Sequence, residues 1–390
     1  MSEAAAPQRL RFDRNELAGA FGDIGTDLPL LLAMIPAAGL DPASTFTVFG
    51  AAQILTGVAY GLPMPMQPLK AMAVLVIAQK IQGPVLFGGG LAVGALMLVL
   101  AATGLLGWLA QVVPRCVVRG VQLGLALSLG QLALKQYVPA SGAPGYALAG
   151  ISFVLLAFLL GNRRIPAALP VMGLGAVVAL LSGVDWGASA SQAALGVPAL
   201  RTVAWSDVVT GLWLLALPQI PLSLSNSVIA THRTLQDLYP ERAVTVRKIG
   251  LTYGFANLVL PWVGGVPVCH GCGGLAGNHA FGARTGGAVV VYGTLFVVAG
   301  LFFGGASSQL VRLFPLPVLG VVLLFEAVAL GVLARDIASS RRELWIALMV
   351  ALAALALPQG YVVGMVVGTA LYYLGDRAQA AGDGQPGAAA

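Results

Sequence analysis

The sequence predicts an all-α polytopic membrane protein, with about fourteen transmembrane segments arranged as two inverted halves of seven. Three observations carry that expectation. Charged residues are 9% of the 390 and hydrophobic ones 58%, whereas a soluble domain carries roughly a quarter charged residues. So little charge cannot cover a globule. Long apolar runs at 91–106, 147–160, 289–303 and 344–357 are separated by short polar breaks, and a spanning helix takes about 20 apolar residues, fewer where neighbours support it. Finally, one interrupted motif occurs twice, 204 positions apart.

Taken in order, the first half (17–183) holds segments near 17–36, 45–62, 64–80, 85–104, 115–135, 147–161 and 166–183. An external polar linker, 184–207, leads to the second half (208–375), with segments near 208–231, 249–264, 267–283, 287–304, 309–334, 343–357 and 360–375. Residues 1–16 form a cytoplasmic N-terminal segment, and the Ala- and Gly-rich 376–390 a disordered cytoplasmic tail. With this count, all but five of the 21 basic residues fall on the cytoplasmic side. Lys80, Lys135, Arg201 and Arg312 lie outside and Lys70 lies within a span. Such a bias places both termini in the cytoplasm of an inner-membrane protein. The 51 Gly and 23 Pro suit helices that approach closely and break within the bilayer.

Several function classes are set aside. The formal charge of +6 reflects cytoplasmic loops rather than nucleic-acid affinity. The N-terminal stretch mixes acids with bases and has no apolar core, so no cleavable leader is expected. No G-x-x-x-x-G-K-[ST] signature supports direct ATP coupling. Three Cys make no disulfide framework, and no cofactor is expected.

The repeated motif points to function. Shifted by 204, Gly50 meets Gly254, Ala52 meets Ala256, Gln53 meets Asn257, Gly61 meets Gly265 and Pro63 meets Pro267. In the first half the stretch from Leu62 to Pro68 cannot be helical, because Pro63, Pro65 and Pro68 remove donors and push their predecessors into extended conformation. Val266 to Gly271 should be extended too. Each extended piece gives way to a half-helix, one starting near Pro68 and the other near Cys272. Two half-helices that start near the midplane aim amide groups and positive dipole ends at one place, which makes an anion site.

These residues resemble a known family. FGDIGTDLPLLLAM (21–34), YGLPMPMQPLKAMA (60–73), LPQIPLSLSNSVIA (217–230) and PVCHGCGGLAGNHAFGAR (267–284) are similar to the signatures of molybdate transporters of bacteria and plants, a distant branch of the sulfate-permease superfamily. The resemblance implies the fold of uracil permease, with core and gate domains. The core comprises spans 1–4 and 8–11, and substrate lies between the third and tenth spans. It implies molybdate as substrate, with sulfate or tungstate as chemical neighbours, and leaves a homodimer open. The sequence departs from the family motif at Asp27, where a neutral residue is expected. A carboxylate beside an oxyanion is unfavourable unless protonated, so Asp27 either points away or serves proton coupling.

The candidate substrate-binding residues cluster around the breaks. Gln67 and Pro68 open the first half-helix, where Gln67 could donate to an oxyanion or cap the proline turn. Lys70 either contacts substrate or pairs with Asp23 or Asp27. Gly271, Cys272, Gly273 and Gly274 open the second half-helix; glycines there permit close approach of an anion or tight packing. His270 could donate to substrate, titrate or be a satisfied buried histidine, and His279 reads as structural. Gln219, Ser223 and Asn226 recur at helical spacing and share a face that either lines a cavity or bonds another helix. Thr26 is a weaker candidate in the first span. Cys269, His270, Cys272 and His279 could gather a metal only with strain, so no metal is expected.

Asp23, Asp27 and Glu326 are the acids placed within the membrane. Importing a dianion against an inside-negative potential costs about 2.3 kcal/mol per charge per 100 mV. The expected mechanism is therefore proton symport, with Asp27 and either Asp23 or His270 carrying the proton and Glu326 a structural acid of the gate. A passive anion channel and a thiol-dependent membrane enzyme are the rival classes.

Overall fold

The computed structural model describes residues 9–162, 165–182, 196–302, 311, 314–357 and 359–383. Arg163, Arg164, Arg312, linker residues 184–195 and the tail from 384 lie outside the described residues.

Asp13 caps the first short helix, α1 (Arg14–Gly19), by accepting from the Asn15 and Glu16 amides. After a break at 20–23 the chain resumes as α2 (Ile24–Ala38). Asp41 caps α3 (Pro42–Tyr60), whose proline sits in the first turn, where its missing N–H costs nothing. An extended piece, β1 (Gln67–Pro68), precedes α4 (Lys70–Gln79) and α5 (Gly83–Thr103). A short helix, α6 (Leu105–Val112), fills what the sequence presents as a connection. Then come α7 (Arg115–Leu132), α8 (Gly142–Leu159) and α9 (Ala168–Leu181).

The second half starts with the long α10 (Trp205–Leu238). It widens into π turns over Leu212–Ala216 and Ser223–Ala230, on either side of Pro218 and Pro221. Prolines break the i→i−4 ladder, and a wider turn is one way to accommodate them. Next are α11 (Val246–Val259), β2 (Val268–Cys269), α12 (Cys272–Ala280) and α13 (Gly287–Phe302). The chain closes with α14 (Leu316–Val332), α15 (Arg341–Ala356) and α16 (Gly360–Asp383). The last helix runs on past 375, through positions expected to be disordered.

Among the described residues, four helical runs are long and apolar enough to cross a membrane: Gly83–Thr103, Arg115–Leu159, Trp205–Leu238 and Leu316–Ile337. The outward surface is apolar as well. Phe158, Leu181 and Trp345 are all largely exposed, as lipid-facing side chains should be.

Packing sorts the helices into two groups. In the first, α3 lies along α13, and α5 lies along α11 and the start of α10. In the second, α7 packs on α14, α15 and α16. The groups meet where α2 rests on α14 and where the middle of α10 rests on α16 and α7. The two extended breaks belong to the first group and face that junction.

Candidate anion site

The two breaks pair with each other. β1 and β2 form a two-residue antiparallel ladder, Gln67 opposite Cys269 and Pro68 opposite Val268, extended by Leu69 N–H donating to the Pro267 carbonyl at 3.0 Å. Each piece is also clamped by an amide from the helix before it. Gln53 on α3 donates to the Met66 carbonyl at 2.8 Å and accepts from the Met66 amide at 3.0 Å. Asn257 on α11 donates to the Val268 carbonyl at 2.6 Å and accepts from the Val268 amide at 2.9 Å. Both side chains are fully buried. Extended backbone at this depth finds no water, so its polar groups must be satisfied by protein. The alignment of Gln53 with Asn257 is visible in the sequence, but the clamping role is not.

The two half-helix ends have different fates. At α4, Gln219 Oε1 accepts from the Ala71 and Met72 amides at 3.0 and 3.2 Å, so protein closes that end. At α12 no side chain caps the N-terminus, and Gly273 has open space where a Cβ would stand. The α12 end opens on a cavity of about 510 Å³, bordered by Asp23, Thr26, Lys70, Asn226, Cys272, Gly273 and Glu326. At roughly 30 Å³ per water, a hydrated oxyanion fits with room to spare.

Lys70 pairs with Glu326, not with Asp23 or Asp27. Asp23 is held instead by Gln67, whose Nε2 reaches its two oxygens at 2.6 and 2.7 Å. Lys70 is left to reach across to α14, on which Glu326 sits. Thr26 Oγ1 donates to the other Glu326 oxygen at 3.3 Å. Asn226 Oδ1 accepts from the Cys272 thiol at 3.1 Å and, at the long distance of 3.5 Å, from Gln122 Nε2, which leaves its Nδ2 group for a ligand.

Other expected residues lie behind this lining. Gln67 is committed to Asp23, and Pro68 is buried in the ladder. A Cβ on Gly271 would overlap Gln67, and one on Gly274 would overlap Asp23. These glycines make room for the Asp23–Gln67 pair, whereas Gly273 borders the cavity. Gln219 donates to Ser223 at 3.2 Å, and the Ser223 and Tyr253 hydroxyls lie 2.7 Å apart. Regular helical spacing puts Gln219, Ser223 and Asn226 on one face; a π turn runs from Ser223 to Ala230, and of the three Asn226 borders the cavity while Gln219 reaches the start of α4. His270 is enclosed, Nδ1 3.1 Å from the Pro65 carbonyl and Nε2 2.8 Å from the Thr252 hydroxyl. Asp27, fully buried, accepts from Gln53 at 3.4 Å and does not border the cavity.

Cys269 is buried in β2 while Cys272 borders the cavity. Among the described residues, no three His, Cys, Asp or Glu side chains are grouped to hold a metal ion. Glu326 is the residue whose part in the site the sequence hides. Its intramembrane charge signals a partner, but that partner lies 256 positions away.

Known proteins match the chain over most of its length. Residues 15–129 and 211–330 match the family described as "Molybdate transporter of MFS superfamily", and Asp23, Thr26, Lys70, Asn226, Cys272, Gly273 and Glu326 all fall inside those ranges. Molybdate transporter 1 of Arabidopsis thaliana is 31% identical over 407 residues, covering 92% of this chain and 87% of the relative. Molybdate transporter 1 of Chlamydomonas reinhardtii is 27% identical over 473 residues, covering 90% of each. The fold matches the transmembrane domain of the cyanobacterial bicarbonate transporter BicA, with a TM-score of 0.66 at 16% identity over 93% of this chain and 98% of that one. It also matches the murine solute carrier 26 family member A9 anion transporter in its inward-facing state, with a TM-score of 0.70 at 15% identity over 95% of this chain and 69% of that one. The protein is thus a multi-pass membrane transporter of anions and not an enzyme. A match that reaches both halves and every polar side chain of the cavity lining, to relatives of nearly the same extent, establishes that this chain belongs to the molybdate transporter family.

Proposed function

We propose that the chain is a secondary active transporter of a tetrahedral oxyanion, molybdate, taken up together with protons. The observation that carries this is the meeting of Lys70 with the uncapped start of α12 in one cavity between the two helix groups. Backbone amides, an ammonium group and the Asn226 amide offer donors from several directions, and the positive end of the α12 dipole favours negative charge, which suits a tetrahedral dianion.

Charge supplies the argument for protons. With Asp23 and Glu326 ionised, the lining carries two negative charges against the one positive charge of Lys70. Two like charges 4 Å apart repel by about 4 kcal/mol at an effective dielectric constant of 20, so a dianion enters such a cavity readily only if protons come with it. Asp23 borders the cavity and Asp27 and His270 do not, which supports Asp23 as a coupling acid before the other two.

The same proposal includes fourteen spans in two inverted halves, of uracil-permease type, with core and gate domains. The matched clamps of Gln53 and Asn257 support it. So does the matched packing of Gly50 against Gly293 and of Gly254 against Gly94, where each half's second span crosses the other half's fourth. The distribution of basic residues supports an inner-membrane location with both termini cytoplasmic.

The test is uptake of radiolabelled molybdate into proteoliposomes, with sulfate and tungstate as competitors. Concentrative uptake that a protonophore abolishes is the expected result. Downhill flux indifferent to the protonophore would mean a channel, and stronger competition by sulfate than by molybdate itself would reassign the substrate.

A further inference from the structure

Glu326 and Lys70 come from opposite helix groups. Lys70 begins α4 in the group that holds the two breaks, Glu326 lies mid-way along α14, and their side chains meet at the cavity, 9% and 18% exposed. Thr26 on α2 donates to the second carboxylate oxygen. Glu326 therefore offers Lys70 and Thr26 what an oxyanion would offer them: oxygens that share negative charge, set in the same cavity.

We propose that Glu326 is a built-in stand-in for the substrate, holding Lys70 while the cavity is empty and yielding it to the incoming oxyanion as the carboxylate takes up a proton. The inference rests on the reading of this cavity as an anion site and adds a second proton acceptor to it. Electroneutral entry of a dianion needs two protons, and Asp23 accounts for one.

The physical reasoning is one of alternatives. Lys70 is the single cation bordering the cavity among the described residues. If the oxyanion takes Lys70 while Glu326 stays ionised, the carboxylate is stranded in a largely buried position beside new negative charge. The other groups that act on it are Asp23 and Asp27 from the α2 segment, both of the same sign; Thr26 on α2 is a neutral donor, and Cys272, from α12, a neutral thiol. Neutralising Glu326 removes the repulsion and leaves a carboxylic acid that can still hydrogen-bond. The pair also ties α4 to α14, so exchanging Glu326 for substrate removes that one link between the groups at the moment the cavity fills.

The experiment measures molybdate binding to the purified full-length protein between about pH 5 and 8, for wild type, Glu326→Gln and Glu326→Asp. Each proton taken up with the anion weakens wild-type affinity by up to tenfold per pH unit on the alkaline side. Glu326→Gln, neutral throughout, should lower that slope by one proton and bind more tightly than wild type at alkaline pH, by about tenfold or more, while matching it at acid pH. Glu326→Asp, one methylene short of Lys70, should shift the same way by less. An alkaline-side gain in either variant supports the inference, and Glu326→Asp carries the test if Glu326→Gln does not fold. Wild-type pH dependence in the variants that fold overturns the role of Glu326 and leaves the anion site standing. If wild type binds neither molybdate nor sulfate at any pH, both readings go.

Discussion

The two amide clamps allow a worked prediction. Replacing Gln53 with Leu leaves the Met66 amide and carbonyl without their side-chain partner, and Asn257→Leu does the same to Val268. Each orphaned buried backbone group costs about 1–3 kcal/mol, so each clamp accounts for about 2–6 kcal/mol. The leucine recovers up to about 2 kcal/mol by apolar burial. Taking the middle of both ranges, a net loss of about 3 kcal/mol remains for each variant, and Gln53→Leu should lose the more, because Gln53 also donates to the buried Asp27 carboxylate at 3.4 Å. Since the clamped segments share the β1–β2 ladder, the double variant should lose less than the sum. A site holds its geometry only while its supports keep it within about 0.5 Å, so molybdate affinity should fall along with stability. Thermal unfolding followed by fluorescence-detected size exclusion measures the first effect, and equilibrium binding the second. Leu55→Ala, on the exposed side of the same helix, is the control. Leucine variants that melt with wild type and bind molybdate equally well would refute the clamping role.

Single positions give further expectations. Gly271→Ala should destabilise by about 1–3 kcal/mol because its methyl collides with Gln67, whereas Gly273→Ala should melt like wild type and lose affinity, its methyl entering the cavity; equal melting of the two would contradict the different roles given to them. Glu16 is buried and accepts from the Arg284, Thr285 and Ala288 amides at 3.0, 2.8 and 3.1 Å, capping the start of α13. Glu16→Ala should cost about 3 kcal/mol or more, and Glu16→Gln, which keeps an acceptor, visibly less in the same melting assay. A small methanethiosulfonate reagent should label Cys272 and spare Cys116 and Cys269, which are buried, with molybdate slowing the labelling; persistence of the label in Cys272→Ser would show that the cavity is not where the thiol chemistry occurs. Asp27→Asn should retain proton-driven accumulation that Asp23→Asn loses, and uptake with internal pH recorded in the same liposomes separates them.

Much of the architecture is legible because its causes are local. Pro63, Pro65 and Pro68 forbid helix wherever they occur, since the missing N–H and the fixed φ belong to the residue itself. The same holds near Pro267, so both breaks can be located without coordinates. Scarcity of charge and long apolar runs likewise identify a membrane chain before any contact is known. The uneven treatment of the two half-helix ends cannot be read this way. It depends on Gln219 reaching the α4 amides from α10, across 148 positions of chain.

What the sequence by itself determined, then, was the membrane class, the places where helices must break, and the list of polar groups that a bilayer forces inward. Only the tertiary structure decided which of those groups meet. Lys70 meets Glu326 while Gln67 engages Asp23, and Gly271 and Gly274 serve that pair while Gly273 serves the cavity. The physical reason is that sterics and apolarity act through neighbours along the chain, whereas the partner of a buried charge is set by how two separate groups of helices come together.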